Sequence, residues 1–119
     1  MQRDWDVIRK ILLKVEALPT ESSKLHSGDL VPEGIDAESA VYHMRMLIES
    51  GLIVGECNTG EFTVYCYSRR LTWEGHEILD KIKRDATWNK IKETAREKGL
   101  DLTIDVVKAA AKSLVSQLF

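Results

Sequence analysis

The chain has 119 residues, 44% of them hydrophobic, which is enough for one domain with a single buried core. Its formal net charge of −2 argues against a general polyanion binder, which would carry a marked excess of Lys and Arg. The longest apolar stretches span only a few residues, whereas a membrane-spanning helix needs about 20 apolar residues. Arg3, Asp4 and Asp6 interrupt the N-terminus before a signal-peptide core could form. We therefore expect a cytoplasmic protein without a membrane partner.

The first predicted element is an amphipathic helix. Its apolar residues recur at spacings of three and four: Trp5, Ile8, Leu12, Val15 and Leu18. Asp4 can cap its start, and Pro19 ends it, because the residue before a proline is pushed out of the helical region. The polar connection that follows, 22–34, includes Pro32. It leaves room for a short strand around 24–26 and for a second helix that is short or absent.

The next helix is predicted from about Ala37 to Ser50, with Asp36 as its N-cap and Gly51 just beyond its end. Helical spacing assigns its buried face to Ala37, Ala40, Val41, Met44, Leu47 and Ile48. The opposite face then carries Glu38, Ser39, Tyr42, Met46 and Glu49. Two bulky side chains, Tyr42 and Met46, are therefore expected to face outward.

A β-hairpin follows, with a turn at Asn58–Glu61 between a strand that ends at Cys57 and a return strand Phe62–Tyr67. This turn would place Cys57 opposite Phe62, so Cys66 would lie about 13 Å further along the strand. A disulfide tolerates Cα atoms only up to about 7 Å apart. We therefore expect two free thiols, in agreement with a reducing compartment.

The chain from Thr72 onward is predicted to be helical. One helix is capped by Thr72 and runs to Lys83, a second spans about Thr87–Lys98, and a third is capped by Thr103. The last helix has an apolar stripe at spacings of three and four: Ile104, Val107, Ala111, Leu114 and Leu118. The stripe can pack on the chain's own first helix or pair with a second copy, and both alternatives stay open.

The order helix, short strand, helix and glycine-turned hairpin is that of a winged helix. We therefore expect a mainly α fold with a small antiparallel β-hairpin. Residues 1–84 would form the winged-helix-like core and residues 85–119 a C-terminal helical extension of the same compact unit. Within the extension, residues 103–118 are the candidate dimerisation helix.

Catalytic and metal chemistry have no readable basis in this sequence. The three histidines are widely spaced, and Cys57 and Cys66 lack the close cysteine spacing of zinc sites. Neither a glycine-rich phosphate loop nor a recognised nucleophile motif occurs. We expect no enzyme, no cofactor, no metal and no small-molecule substrate.

Four blocks of the sequence resemble one family: Met1–Leu12, Tyr42–Ile53, Leu71–Asp80 and Trp88–Lys90. The chain resembles domain-of-unknown-function family 2513 over nearly its whole length. This resemblance implies a bacterial or phage origin, no established activity and no catalytic residues. The second block is also similar to the recognition-helix signature of many bacterial winged-helix regulators. Leu71, Thr72 and Gly75 are similar to the Leu-Thr-x-x-Gly that follows the wing in such proteins.

Two functions remain open at this point. The first is a winged-helix DNA-binding or regulatory protein of phage or mobile-element type, which would contact double-stranded DNA through Ser39, Tyr42, His43, Arg45, Arg69 and Arg70. The second is a protein-interaction module that uses Tyr42 and Met46 and does not bind DNA. With either function, the C-terminal stripe is a candidate homodimer interface. Asp36 and Glu38 lie where phosphates would approach the helix that begins at Ala37. The surface charge around that helix is therefore the feature that separates the two functions.

Overall fold

The computed structural model describes residues 1–116, and the chain divides into two compact units, Met1–His76 and Glu77–Phe119. Its helices are α1 (Trp5–Glu16), α2 (Ala37–Glu49), α3 (Trp73–Ile82), α4 (Asp85–Glu97) and α5 (Ile104–Ser116), with a 3₁₀ helix at Ser27–Glu33. Its strands are β1 (Leu25–His26), β2 (Ile53–Thr59) and β3 (Val64–Leu71). The fold is mainly helical, as predicted. No helix within residues 1–116 is long and apolar enough to cross a membrane.

In the first unit, α1 and α2 pack together with the sheet around one core. The Asp4 carboxylate caps α1 by accepting the Asp6 N–H at 2.9 Å, as the sequence predicts. The Asp36 carboxylate caps α2 by accepting the Ser39 N–H at 3.0 Å. The side chains that fill this core are fully buried: Ile11, Leu12, Leu30, Ala40, Met44 and Cys66.

The connection between β1 and α2 holds the short 3₁₀ helix. At the start of this helix the Asp29 carboxylate accepts the His26 N–H at 2.8 Å. The Leu30 side chain of the same helix is fully buried in the core. Gly34 ends it with φ of 90°, a conformation that favours glycine. The 3₁₀ helix has only seven residues, and three residues, 34–36, separate it from α2.

The sheet has three antiparallel strands in the order β1-β3-β2, where the sequence predicted a two-stranded hairpin. The predicted turn was wrong as well. Pairing continues to Thr59 opposite Val64, so the loop is 60–63, and Cys57 lies opposite Cys66. The two cysteines form a disulfide, with Cα atoms 4.0 Å apart, instead of the two expected free thiols. The prediction failed because it placed the turn at Asn58–Glu61, two residues before the observed loop, and so paired Cys57 with Phe62 in place of Cys66.

In the second unit, α4 and α5 pack against each other. Its α4 begins at Asp85, two residues before the predicted start, and Thr103 caps α5 as predicted, accepting the Val106 N–H at 3.1 Å. The buried side chains among the described residues of this unit are apolar: Ile78, Leu79, Ile82, Trp88, Ile91, Ala95, Val107 and Ala111. Both helices thus bury one stripe each and expose the rest, as amphipathic helices do.

Candidate functional site

An open groove of about 510 Å³ lies between α2 and the end of the hairpin in the first unit. We call it the α2 groove. Its lining residues are Met1, Ala37, Glu38, Val41, Tyr42, Arg45, Phe62, Thr63 and Val64. Most of these side chains are apolar, and together they form one concave surface on the first unit.

The hairpin loop presents the most exposed apolar side chain of this groove. Phe62 is 90% exposed and Val64 is 39% exposed. Met1, at 66% exposure, lies at the same groove. Isolated exposed apolar residues are ordinary, but a contiguous apolar patch marks a binding surface. At the α2 groove the exposed loop residues lie beside Val41 and Tyr42 of α2, so this surface is the candidate binding site.

The groove is close to neutral. Glu38 and Arg45 are the two charged side chains among its lining residues, and their charges are opposite. Asp36 is nearby in sequence, but its carboxylate is engaged in capping α2. The first unit contains eight Lys and Arg against twelve Asp and Glu, a formal charge of −4. The surface around α2 therefore has no excess of cations with which to attract phosphates.

His43 is buried, so the prediction that it contacts nucleic acid is wrong. Its side chain is part of the core, and its residue is only 2% exposed. Nε2 accepts the Asp4 N–H at 2.9 Å, and Nδ1 lies 2.8 Å from the Ser39 carbonyl oxygen. Both ring nitrogens are thus satisfied within the chain, and Nδ1 carries the proton that it donates to Ser39. The imidazole connects the start of α1 to α2.

The buried face of α2 is rotated by about 50° from the predicted one, counting 100° per residue. Ala40, His43, Met44 and Leu47 face the core. Ala37 and Val41, which were assigned to the buried side, line the α2 groove instead. Counting only apolar residues misplaced this face, because the core accepts the hydrogen-bonded His43.

The remaining predicted contacts on α2 are divided between the groove and the interior. Tyr42 and Arg45 line the groove, and the Tyr42 ring meets the His43 ring edge-on with centroids 5.3 Å apart. Ser39 is half-buried, with its Oγ 3.2 Å from His43 Nδ1. Met46 is half-buried and lies outside the groove. The structure thus brings Tyr42 and Arg45 together with the hairpin loop and turns Ser39 toward the core.

Arg69 and Arg70 lie at the base of the hairpin, away from its loop. Val54 pairs with Arg70 and Gly55 pairs with Ser68, so Arg69 is the extra residue of a β-bulge. Its guanidinium carbon lies 5.7 Å from the centroid of the Tyr67 ring. These two arginines therefore do not extend the α2 groove.

Tyr67 is the centre of a polar cluster on the sheet. Its hydroxyl donates to Glu56 Oε2 at 3.0 Å, and Lys24 Nζ lies 4.6 Å from its ring centroid. The hydrogen bond to the Glu56 carboxylate raises the pKa of Tyr67, because ionising the phenol would break the bond and place two negative charges side by side. The cluster links β3 to β2 and to the residue that precedes β1.

Replacing Glu56 with Gln should lower the pKa of Tyr67 toward the ordinary tyrosine value of about 10. The folded-state pKa is the raised one, so the pair stabilises the fold below about pH 10 and stops doing so as pH rises through that folded-state pKa. Ultraviolet titration of tyrosinate measures the change, and Tyr67→Phe identifies its signal. An unchanged titration in Glu56→Gln would contradict the assignment.

Two of the five predicted C-terminal interface residues are buried within the chain. Val107 is fully buried and Ala111 is 5% exposed. Ile104 and Leu114 are half-buried, and Leu118 lies outside the described residues. Val107 and Ala111 therefore do not face a partner. Within residues 1–116, no group of three His, Cys, Asp or Glu is placed to hold a metal ion.

Sequence reasoning missed Phe62, Val64 and Val41 as surface residues. Phe62 was assigned to a strand because aromatic residues favour strands. The signal that could have identified it is the run Gly60-Glu61-Phe62-Thr63, in which an aromatic residue lies within polar and glycine residues of a loop.

The comparison with protein-family models identifies one family. The family model described as hypothetical protein (DUF2513) matches residues 2–101. A Haemophilus influenzae protein named uncharacterized protein is 40% identical over 121 residues, which cover 99% of this chain and 98% of that relative. No solved structure matches the chain. Because the family model covers most of the chain and the relative matches it almost from end to end, the chain belongs to the DUF2513 family.

Proposed function

We propose that this protein is a protein-interaction module on a winged-helix scaffold, and that its α2 groove binds an apolar segment of a partner protein. The observation that carries the proposal is the exposure of Phe62 and Val64 beside Val41 and Tyr42. Phe62 and Tyr42 are the aromatic residues of this groove, and aromatic side chains are enriched at protein interfaces.

The element order of the first unit supports the scaffold. It runs α1, β1, the 3₁₀ helix, α2, β2 and β3, with β3 in the middle of the sheet. This is the order of a helix–turn–helix followed by a wing, where the wing is the β2-β3 hairpin. On such a scaffold α2 and the wing form one continuous outer surface, and the α2 groove lies between them.

Charge favours a protein over DNA at this surface. Side chains that read the major groove are usually Arg, Lys, Asn or Gln, and the outer face of α2 offers Arg45 alone. Glu38 beside it and Glu61 in the loop would meet phosphates with like charge. In a complex with DNA this repulsion would lower the affinity, and the exposed Phe62 would contribute little to binding. The partner we propose is a segment with one or two large apolar side chains and little net charge.

Selection of a displayed library of random peptides against the intact protein tests this function. The enriched peptides should carry aromatic or aliphatic anchors. In fluorescence anisotropy, Phe62→Ser should weaken their binding about tenfold or more, since a central apolar anchor is lost. Tyr65→Ser is the matched control, because Tyr65 is also an exposed aromatic residue of the hairpin but does not line the groove. It should change the affinity by less than about twofold.

Equal binding of the peptides to Phe62→Ser and to the unchanged protein would overturn the proposal, as would a selection without enrichment. Random duplex DNA is assayed in parallel. DNA binding that is lost in Arg45→Ala and kept in Phe62→Ser would replace the proposal with the DNA-binding function, with the expected steep dependence on salt.

A further inference from the structure

A second open cleft, of about 1020 Å³, lies within the second unit. We call it the basic cleft. Five cationic side chains line it, together with one carboxylate, that of Asp80: Lys81, Arg84, Lys90, Lys108 and Lys112. They come from the end of α3, the residues that follow it, α4 and α5, so distant parts of the sequence converge on one concavity. The second unit as a whole has nine Lys and Arg against seven Asp and Glu, a formal charge of +2.

Most of these charges are uncompensated. Lys81 Nζ lies 4.0 Å from a Glu77 oxygen, which is a weak pair at best. The other four cations form no ion pair with any residue between positions 1 and 116. Lys108 and Lys112 are also four residues apart on α5, a spacing at which like charges disfavour the helix. An anionic ligand would remove this repulsion and gain attraction from several directions.

The floor of the basic cleft is apolar. It is formed by Ala86 from α4 and by Ala111, Leu114 and Val115 from α5. Val115 is 53% exposed, so the floor is accessible. The phosphate backbone of a nucleic acid would pair with the cations, but it has no apolar surface to pack against these side chains. The cleft therefore calls for a ligand that is apolar on one side and acidic along its edges.

A second copy of this chain docked symmetrically does not meet that requirement. In a two-fold dimer the same patch meets itself, so the five cations of one copy would face the five of the other. Like charges held together in an interface cost binding free energy. An acidic partner of different sequence has the opposite effect.

We infer that the basic cleft binds an acidic amphipathic helix of a partner protein. Apolar side chains on one face of that helix lie on Leu114 and Val115, and carboxylates beside them pair with the surrounding cations. This surface is separate from the α2 groove, differs from it in charge, and does not depend on the function proposed for that groove.

The probe is a labelled synthetic helix of about four turns, with leucines on one face and glutamates on both flanks. Fluorescence anisotropy against the whole chain should show saturable binding that weakens with salt. Lys108→Gln with Lys112→Gln should weaken binding about tenfold, because two charge-assisted contacts are lost. Val115→Ser should weaken it about threefold through the loss of buried apolar area. The matched control is Arg96→Gln with Lys98→Gln, which also removes two positive charges, but from residues that do not line the cleft. It should leave the affinity nearly unchanged.

Two altered peptides and a duplex DNA complete the test. Replacing the glutamates with lysines should abolish binding, and replacing the leucines with serines should weaken it about tenfold. Equal losses in the cleft variant and in the Arg96/Lys98 control would overturn the proposal, because binding would then follow net charge alone. Indifference to the leucine-to-serine change would also overturn it, because the apolar floor would then not contribute. Duplex DNA that binds more tightly than the peptide would overturn it and assign the cleft to nucleic acid. Circular dichroism of each variant verifies that the fold is intact.

Discussion

Replacing Gly75 with alanine is expected to lower the free energy of unfolding by about 3 kcal/mol or more. A Cβ at this position would lie 2.0 Å from the Leu52 carbonyl oxygen and 3.1 Å from its carbonyl carbon. Both atoms belong to the backbone, so no side-chain rotation can relieve the clash. Alanine gains about 1 kcal/mol over glycine as a helix residue, which is too little to offset it. A folded protein has only about 5–15 kcal/mol of stability to lose.

Urea unfolding followed by circular dichroism measures this change. Gly28→Ala is the matched control, because a Cβ there meets no atom within 4 Å and the residue does not have a positive φ. Its midpoint should stay within experimental scatter of the unchanged protein. A Gly75→Ala protein as stable as Gly28→Ala would show that the α3 segment can shift away from Leu52 without cost.

The same contact explains the Leu71-Thr72-Trp73-Glu74-Gly75 run. Thr72 Oγ1 donates to the Gly51 carbonyl at 2.6 Å and accepts the Gly75 N–H at 3.0 Å, while the Thr72 N–H donates to the Leu52 carbonyl at 3.0 Å. These hydrogen bonds therefore hold the start of α3 against Gly51 and Leu52, the residues that follow the end of α2. The role of this run is structural, because the absence of a side chain at Gly75 permits the close approach of the Leu52 backbone. Trp73 is 79% exposed, and nothing in this contact requires it.

Much of the fold could be predicted, because its signals are local. The caps at Asp4, Asp36 and Thr103 depend on side chains that satisfy N–H groups two or three residues away. Gly51, with φ of 79°, ends α2 as its sequence position predicts. Helix periodicity then follows from the spacing of apolar residues. These features require no knowledge of which element packs on which.

The rest of the fold depends on contacts between distant residues. The partner of Cys57 was misjudged because several loop lengths suit the sequence Asn58-Thr59-Gly60-Glu61, and only the ladder of β2 and β3 selects one. The pairing of β1 with β3 is likewise long-range. The α2 groove was missed for a similar reason: Phe62 and Val41 become neighbours of one cavity only when the hairpin lies beside α2.

His43 was predicted to lie on the surface and contact DNA, but the structure buries it in the core. Its replacement is the second large effect that we expect. His43→Ala should lower the free energy of unfolding by about 3 kcal/mol. The substitution leaves a cavity in the core, and it removes the acceptor of the Asp4 N–H and the donor to the Ser39 carbonyl. The loss falls on the contact between the start of α1 and α2, so α1 should become the first helix to open.

The control is His76→Ala, which removes an exposed imidazole and should leave stability within about 0.5 kcal/mol of the original. His43→Gln keeps both a donor and an acceptor, so it should retain part of the stability lost in His43→Ala. Urea unfolding ranks the three variants, and amide hydrogen exchange locates the opening. A surface residue that reads DNA would give the opposite result, since its alanine variant would lose binding while its stability stayed unchanged. The ranking therefore separates an internal support of α2 from a residue on its outer face.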